Sequence, residues 1–222
     1  MTTLTTDRPA RTEREGGPPL LVPALVLAAL TVAGAVLGGA GPRPDTGADA
    51  VLAYAAANGT WMSVGAALLL GSAFPLVVYA ATAVRRMQRL GVSAPGPLMG
   101  LAGAVLAAGS LMLSALFSWT AAQTAGSGDA GLARTLATLW FGTGSVGFAA
   151  PLGLFLLGLG VPAVIRRLVP APIAWAAIAV GVLALLSTFA LITPALYYLV
   201  PVARFGGLLV MIAIAATLGR TR

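Results

Sequence analysis

Few residues of this chain carry side chains that do chemistry, and their placement argues against catalysis. The sequence contains no His and no Cys, so it offers no imidazole base, no thiolate nucleophile and no sulfur ligand for a metal. The acidic residues fall in the N-terminal segment and in predicted loops, where they form no pair suited to general acid–base work. No catalytic residue, cofactor site or metal site is predicted, and we predict that the chain is not an enzyme.

Arg204 is the ionisable residue placed deepest in an apolar run. If the last helix starts near Pro201, Arg204 lies one turn inside it, and its long side chain can extend to the lipid headgroups. We prefer the interpretation that Arg204 is an interfacial anchor or a contact for lipid phosphate. The alternative is an anion-binding residue in a polar site at the outer face, with Tyr197, Tyr198 and Gln123.

A glycine-rich stretch at 142–147 has the letters of the dinucleotide-binding fingerprint G-x-G-x-x-G. That fingerprint requires a preceding strand, a helix N-terminus at the pyrophosphate and an acidic residue about 20 residues further on. Here the stretch lies within an apolar run, and the positions about 20 residues on include no acid. Flexibility and close helix packing are the better explanation of these glycines.

Small residues at helical spacing predict close contacts between helices. Gly34 and Gly38 form a small-xxx-small step, and Ser110, Ser114 and Ser118 stand one turn apart on one face. We interpret the serines as a packing seam in which each hydroxyl bonds back to its own helix. The alternative is a polar stripe that lines the path of a solute.

Two prolines within apolar runs predict kinks. Pro75 and Pro151 each remove one backbone hydrogen bond, so the kinks should face protein or water rather than acyl chains. Both belong to a Gly-x-x-x-Pro-Leu pattern, at 71–76 and at 147–152, that precedes an arginine pair. This hints at a duplicated helical hairpin with parallel copies, although chance similarity between two Ala/Leu/Gly-rich helices is the alternative.

The elements that must position these residues are transmembrane helices. Of 222 residues, 59% are hydrophobic and only 9% are charged, whereas a soluble domain carries roughly a quarter charged residues. A bilayer core of about 30 Å needs about 20 helical residues. Six runs qualify, and they predict an all-α, polytopic bundle in a single domain over 19–222: 19–40, 61–84, 98–122, 135–164, 173–193 and 201–219.

The thirteen basic residues are all arginines, and their distribution predicts the orientation. Counted over alternate loops, ten fall on one side of the bundle and three on the other, so both termini are predicted to be cytoplasmic. Residues 1–18 are predicted to form a disordered cytoplasmic tail. The alternative for the first run is a signal peptide cleaved after Ala40, although that run is longer than the 7–15 apolar residues typical of such peptides.

The largest outer segment is predicted at 41–60. Asp49 is expected to cap a short helix that continues to Ala57, and Asn58-Gly59 is expected to end it. Apolar residues in this helix predict that it lies on the outer membrane interface: Val51, Leu52 and Tyr54.

The chain resembles a class of uncharacterised bacterial six-helix integral membrane proteins that are grouped as a domain of unknown function. The resemblance rests on the residues at 71–76, 151–154, 186–188 and 201–207, and it would extend from Thr46 onward. It implies six helices in the bacterial cytoplasmic membrane and no assigned activity.

The predicted function is therefore coarse. The net charge of +7 is explained by membrane orientation rather than by nucleic acid, because the arginines form no long basic face. The predicted partner is the lipid bilayer, while partner proteins and further copies of the chain are left open. We expect a non-enzymatic role in interaction, envelope maintenance or regulation. The alternative is a small permease or exporter for an apolar or weakly anionic solute. A water-accessible pocket that reaches Pro75 or Pro151 and is lined by Tyr79, Ser114 or Thr143 would favour the permease, whereas a solidly packed bundle would favour the first role.

Overall fold

The fold is taken from a computed structural model that describes residues 19–39 and 41–218. The predicted tail at 1–18 lies outside the described residues. Over the described residues the chain folds into helices joined by short connections, which confirms the predicted all-α class. Seven α-helices are present in this part of the chain: α1 Leu21–Gly38, α2 Ala48–Arg89, α3 Gly96–Thr124, α4 Ala130–Gly144, α5 Val146–Arg166, α6 Ala171–Leu186 and α7 Leu199–Thr217.

Six helical segments are long and apolar enough to cross a membrane, as the sequence predicted. Three of them are α1, α2 and α3 (the last with a 3₁₀ turn at Ala125–Ser127). The fourth combines α4 and α5 into Ala130–Arg166. The last two include 3₁₀ turns on either side of the connection between α6 and α7, and they extend over Ala171–Leu191 and Pro194–Thr217.

Successive segments run in opposite directions, so the bundle has two distinct ends. At one end, the Arg86 guanidinium donates to the Leu218 carbonyl at 3.2 Å, and the Arg166 guanidinium donates to the Gly91 carbonyl at 3.2 Å. We call this the basic end, and the opposite end, where α1 ends and α2 begins, the cavity end. The arginine count predicts which end faces the cytoplasm, and this orientation stays a prediction.

Glycines set the closest approaches between helices. Gly34 and Gly38 of α1 lie against Gly65 of α2, where a Cβ on Gly65 would be only 2.5 Å from the Gly38 Cα. On the other side of the bundle, a Cβ on Gly158 of α5 would be 2.6 Å from the Gly100 Cα of α3. At such sites only glycine lets two backbones come together, as expected where van der Waals packing drives helix association.

The half of the bundle toward the basic end is tightly packed. The rings of Tyr79 and Phe155 meet edge to face with centroids 6.0 Å apart, and both side chains are completely buried. The Tyr79 hydroxyl donates to the Met211 carbonyl at 2.8 Å, which satisfies the polar atom of this ring. Pro75 and Pro151 lie inside α2 and α5, and the Pro151 carbonyl faces Gly103 of α3, so this proline contacts protein.

The structure corrects the expectation of a separate short helix in the segment at 41–60. α2 runs without interruption through Asn58 and Gly59, because its buried face continues through them from Val51 and Ala55 to Met62. The Asn58 side-chain amide donates to the Tyr54 carbonyl one turn earlier, at 2.9 Å, instead of ending the helix. Packing of this face against α3 and α4 outweighs the low helix propensity of an Asn-Gly pair.

Two details of that expectation are also wrong. The N-cap of α2 is Gly47 rather than Asp49, which lies in the first turn, where its charge is favourable near the helix N-terminus. Val51 does not lie on the membrane interface, since it is buried against Ala133 and Ala137 of α4.

Candidate functional site

The fourth transmembrane segment is broken at Ser145, within the glycine-rich stretch at 142–147. Ser145 has φ −98° and ψ −94°, so α4 ends at Gly144 and α5 begins at Val146. The sequence predicted a kink at Pro151 instead, but α5 continues through Pro151 and also through Pro162. Close packing explains the glycine before the break, because a side chain at Gly144 would collide with the Ser114 hydroxyl. Irregular backbone at membrane depth is tolerated where it faces protein or a cavity.

A cavity of about 500 Å³ lies beside this break, at the cavity end of the bundle. Five of the six transmembrane segments line it, and the connection between α1 and α2 also contributes. Most of the lining is apolar. The ionisable and hydroxyl-bearing residues around it are Arg43, Asp45, Ser114, Ser118, Ser145, Tyr197, Tyr198 and Arg204.

Arg204 lies in the first turns of α7 and lines this cavity. Its guanidinium carbon is 4.9 Å from the centroid of the Phe148 ring, a cation–π contact, and Phe148 is only 2% exposed. Nε of Arg204 is buried and has no hydrogen-bond partner among the described residues. A guanidinium that stacks on a buried ring beside the cavity is compatible with the alternative of a polar site, and the preferred interpretation of Arg204 as a headgroup anchor stays a prediction.

Ser145 is a second polar residue at the same place. Its side chain is 6% exposed and lines the cavity, and its hydroxyl has no hydrogen-bond partner in the described part of the chain. Its backbone is satisfied, since its N–H donates to the Phe141 carbonyl at 2.8 Å and its carbonyl accepts from Ala149 at 2.8 Å. The hydroxyl is therefore the group of Ser145 that is available to a ligand.

The sequence left open whether the serines on α3 form a packing seam or a polar lining, and in the structure they contribute to both. Ser114 is 2% exposed and donates to the Trp140 carbonyl at 3.1 Å, so it bonds across to α4 rather than back to its own helix. Ser114 and the buried Ser118 also line the cavity. Ser110 does not reach the cavity, and its hydroxyl lies close to Gly147 of α5.

The structure brings two of the three proposed companions of Arg204 to the cavity. Tyr197 and Tyr198 lie in the 3₁₀ turn before α7 and line it, and Tyr197 packs edge to face on Phe141 with centroids 5.0 Å apart. Gln123 is exposed at the end of α3 and is 3.5 Å from the Ser63 hydroxyl, away from the cavity lining.

The described part of the chain contains three carboxylates, and one of them reaches the cavity. Asp129 caps α4 by accepting a hydrogen bond from the Leu132 N–H at 3.0 Å, and Asp49 lies in the first turn of α2. Asp45 lines the cavity from the connection between α1 and α2, together with Arg43. Among residues 19–39 and 41–218, no three acidic residues come together in a way that could hold a metal ion.

Sequence reasoning grouped Arg204 with Tyr197 and Tyr198 but did not find the other residues around the guanidinium. Ser145, Phe148, Trp140 and Arg43 were not proposed as site residues, although Ser145 belongs to the stretch that was noticed for its glycines. Three glycines around one serine inside a long apolar run were a signal for a helix break.

Comparison with protein-family models, with curated proteins and with solved structures finds no match for this chain. The resemblance to bacterial six-helix membrane proteins therefore stays a prediction. The class that the structure defines is a helical protein with six segments able to cross a membrane, and a cavity beside a broken helix.

Proposed function

We propose that this protein is a small, non-enzymatic permease of the bacterial cytoplasmic membrane, which binds a weakly anionic amphiphile in the cavity at its outer end. One observation carries the proposal: the Arg204 guanidinium lines a cavity of about 500 Å³, and its Nε has no partner among the described residues. A buried cation without a counterion is costly at membrane depth, and such residues commonly mark the path of a substrate or ion.

The charge around the cavity favours an anion. Arg204 and Arg43 supply two positive charges to the lining, whereas Asp45 supplies one negative charge. A negative group beside Arg204 would offset this net positive charge.

The remaining lining favours a ligand with an apolar body. Met62 and Leu69 of α2, and Val200 and Phe205 of α7, form walls that offer no hydrogen bond. The volume lies within the range of about 300–1,000 Å³ that is usual for small-molecule sites. A molecule with one charged end and an apolar remainder matches both parts of the lining.

Transport is favoured over enzymatic chemistry by the types of residue present. The cavity is lined by serines, tyrosines, arginines and a single aspartate, and it lacks a described carboxylate pair or a lysine for covalent or acid–base catalysis. Broken helices beside a midplane cavity are, in contrast, a recurrent feature of secondary transporters. The packed half around Tyr79 and Phe155 would close the path at the basic end in this conformation.

Counterflow of a permanently charged amphiphile tests the proposal. Protein reconstituted in phosphatidylcholine vesicles preloaded with octanesulfonate is expected to accumulate radiolabelled octanesulfonate faster than protein-free vesicles do. Arg204→Met should abolish this uptake, because it removes the charge while keeping an apolar side chain over Phe148. The matched control is Arg134→Met, which removes an exposed arginine of α4 outside the cavity lining and should leave uptake unchanged.

The second candidate is a binding protein that does not transport, and it would fit the interaction or regulatory role expected from the sequence. The observation in its favour is the dense packing between the cavity and the basic end. Saturable binding of octanesulfonate without counterflow, both lost in Arg204→Met, would select this candidate and exclude the permease.

A further inference from the structure

The junction between α4 and α5 brings together two side chains that each favour a negative charge. Ser145 lines the cavity, and its buried hydroxyl has no hydrogen-bond partner among the described residues. Arg204 also lines the cavity, and its guanidinium lies over the ring of Phe148 in the first turn of α5.

Ser145 adds an independent reason to expect a ligand at this helix N-terminus. A buried hydroxyl that makes no hydrogen bond costs free energy, so native structures rarely keep one without a partner. Ser145 does not cap α5 with its side chain, although serine is among the best residues for that purpose. Ser145 lines the cavity, and its buried hydroxyl is left without a partner in the described part of the chain, so it is free to bond a group that comes beside it.

We propose that this junction is the anion subsite of the cavity and that it binds the carboxylate of an amphiphilic monocarboxylic acid. One carboxylate oxygen would accept from the Ser145 hydroxyl, and the other from the Arg204 guanidinium. This inference rests on the proposed function, since it names the charged end of the same solute.

The charge at the junction selects a monoanion over a dianion. Arg204 and Arg43 give the lining two positive charges and Asp45 gives it one negative charge, so the sum is one positive charge. One carboxylate neutralises that charge, whereas a phosphate monoester would leave negative charge uncompensated in an apolar cavity.

The position of Trp140 provides the probe for this subsite. Trp140 lines the cavity, whereas Trp61, Trp119 and Trp175 are each about half exposed on the surface of the bundle. A protein in which these three are changed to Phe reports on the cavity alone. In phosphatidylcholine nanodiscs it would be titrated with ω-bromodecanoate, whose bromine quenches tryptophan fluorescence, and with ω-bromodecanol as the uncharged control of equal length.

The expected result is saturable quenching of Trp140 by the bromodecanoate at concentrations where the alcohol gives only weak, non-saturating quenching. In that background Ser145→Ala should weaken carboxylate binding roughly tenfold, the factor that one hydrogen bond to a charged group commonly contributes. It should leave the alcohol unaffected. The matched control is Ser72→Ala, because Ser72 is equally buried but donates to the Leu69 carbonyl of its own helix at 2.6 Å.

A stability measurement separates a ligand contact from a structural role. Without ligand, Ser145→Ala should unfold at the same temperature as the parent or higher, because it removes a buried hydroxyl that has no partner. A lower unfolding temperature together with equally weakened binding of acid and alcohol would overturn the subsite, since Ser145 would then support the fold.

Failure of the subsite differs from failure of the proposed function. If Ser145→Ala binds bromodecanoate as tightly as the parent while Arg204→Met loses binding, the anion lies elsewhere in the cavity and only the subsite is overturned. Stronger binding of decyl phosphate than of bromodecanoate would overturn the choice of a monocarboxylate. If bromodecanoate gives no saturable quenching of the parent, and decyl phosphate shows no binding either, the proposed function fails as well.

Discussion

At the scale of single residues, two features of Arg204 bear on its role. Its guanidinium rests on the buried ring of Phe148, and its Nε is buried without a partner among the described residues. An interfacial anchor would need only a positive charge near the headgroups. A ligand site needs the planar fork of the guanidinium, which presents two parallel N–H groups to an anion and stacks on an aromatic face.

This distinction predicts the outcome of Arg204→Lys. The lysine keeps the charge but loses the fork and most of the stacking, so binding of an amphiphilic anion should weaken roughly tenfold, equivalent to about 1.4 kcal/mol. Titration of octanesulfonate against the protein in nanodiscs measures the change. Arg134→Lys, on the exposed side of α4, should bind like the parent. Unchanged affinity in Arg204→Lys would restore the anchor interpretation.

At the scale of helices, the contact between α1 and α2 depends on three glycines. Gly34 and Gly38 lie against Gly65, where a Cβ would be 2.5 Å from the Gly38 Cα and 2.9 Å from the Gly34 carbonyl oxygen. Backbone atoms cannot move aside as a flexible side chain can. The two helices must therefore separate if a side chain is added, which also changes the cavity that both helices line.

Gly65→Ala is accordingly predicted to destabilise the protein by about 1–3 kcal/mol, the usual cost of overpacking. Thermal unfolding in detergent should show a clearly lower midpoint. Gly109→Ala is the matched control in α3, because a Cβ there meets nothing within 4 Å and alanine favours helix. Equal midpoints for the two variants would show that α1 is not held against α2 through these glycines.

The same scale shows which features the sequence could predict. Apolar runs separated by charged loops predicted all six transmembrane segments, because the length and hydropathy of a span are local properties. The break at Ser145 was not predicted, although the three glycines around it were a signal in the sequence. The extension of α2 through Asn58 could not be predicted locally, because its stability comes from packing against α3 and α4.

At the scale of the whole molecule, each end of the bundle has a pocket. The cavity beside Ser145 lies at one end, a pocket of about 450 Å³ bordered by Ser93 and Arg166 lies at the basic end, and large side chains such as Tyr79 and Phe155 are completely buried in the core. Tyr79 and Phe155 each lie four residues after the proline of the repeated Gly-x-x-x-Pro-Leu pattern, and they contact each other. Contact between equivalent positions is what a parallel duplication about an axis along the bundle would produce, so it favours that hypothesis.

The orientation of the whole bundle determines which compartment the cavity serves. Ten of the thirteen arginines fall either at the basic end of the bundle or in the segments of the chain before α1 and after α7. The positive-inside rule then predicts that the basic end faces the cytoplasm and that the cavity opens to the outside. With this predicted orientation, a solute would enter from the extracytoplasmic side in the conformation described here.

Thiol labelling tests this orientation in intact cells. The chain has no Cys, so an introduced cysteine is its single thiol. Ser127→Cys places it in the exposed turn after α3 at the cavity end, and Ser93→Cys places it in the exposed turn between α2 and α3 at the basic end. A membrane-impermeant maleimide should label Ser127→Cys in intact cells and Ser93→Cys only after permeabilisation.

The reverse pattern would invert the bundle and place the cavity on the cytoplasmic side, where Arg204 would serve export rather than uptake. Labelling of both sites in intact cells would show that the turns do not lie on opposite sides of a membrane, which would contradict the membrane-spanning arrangement of α3 itself.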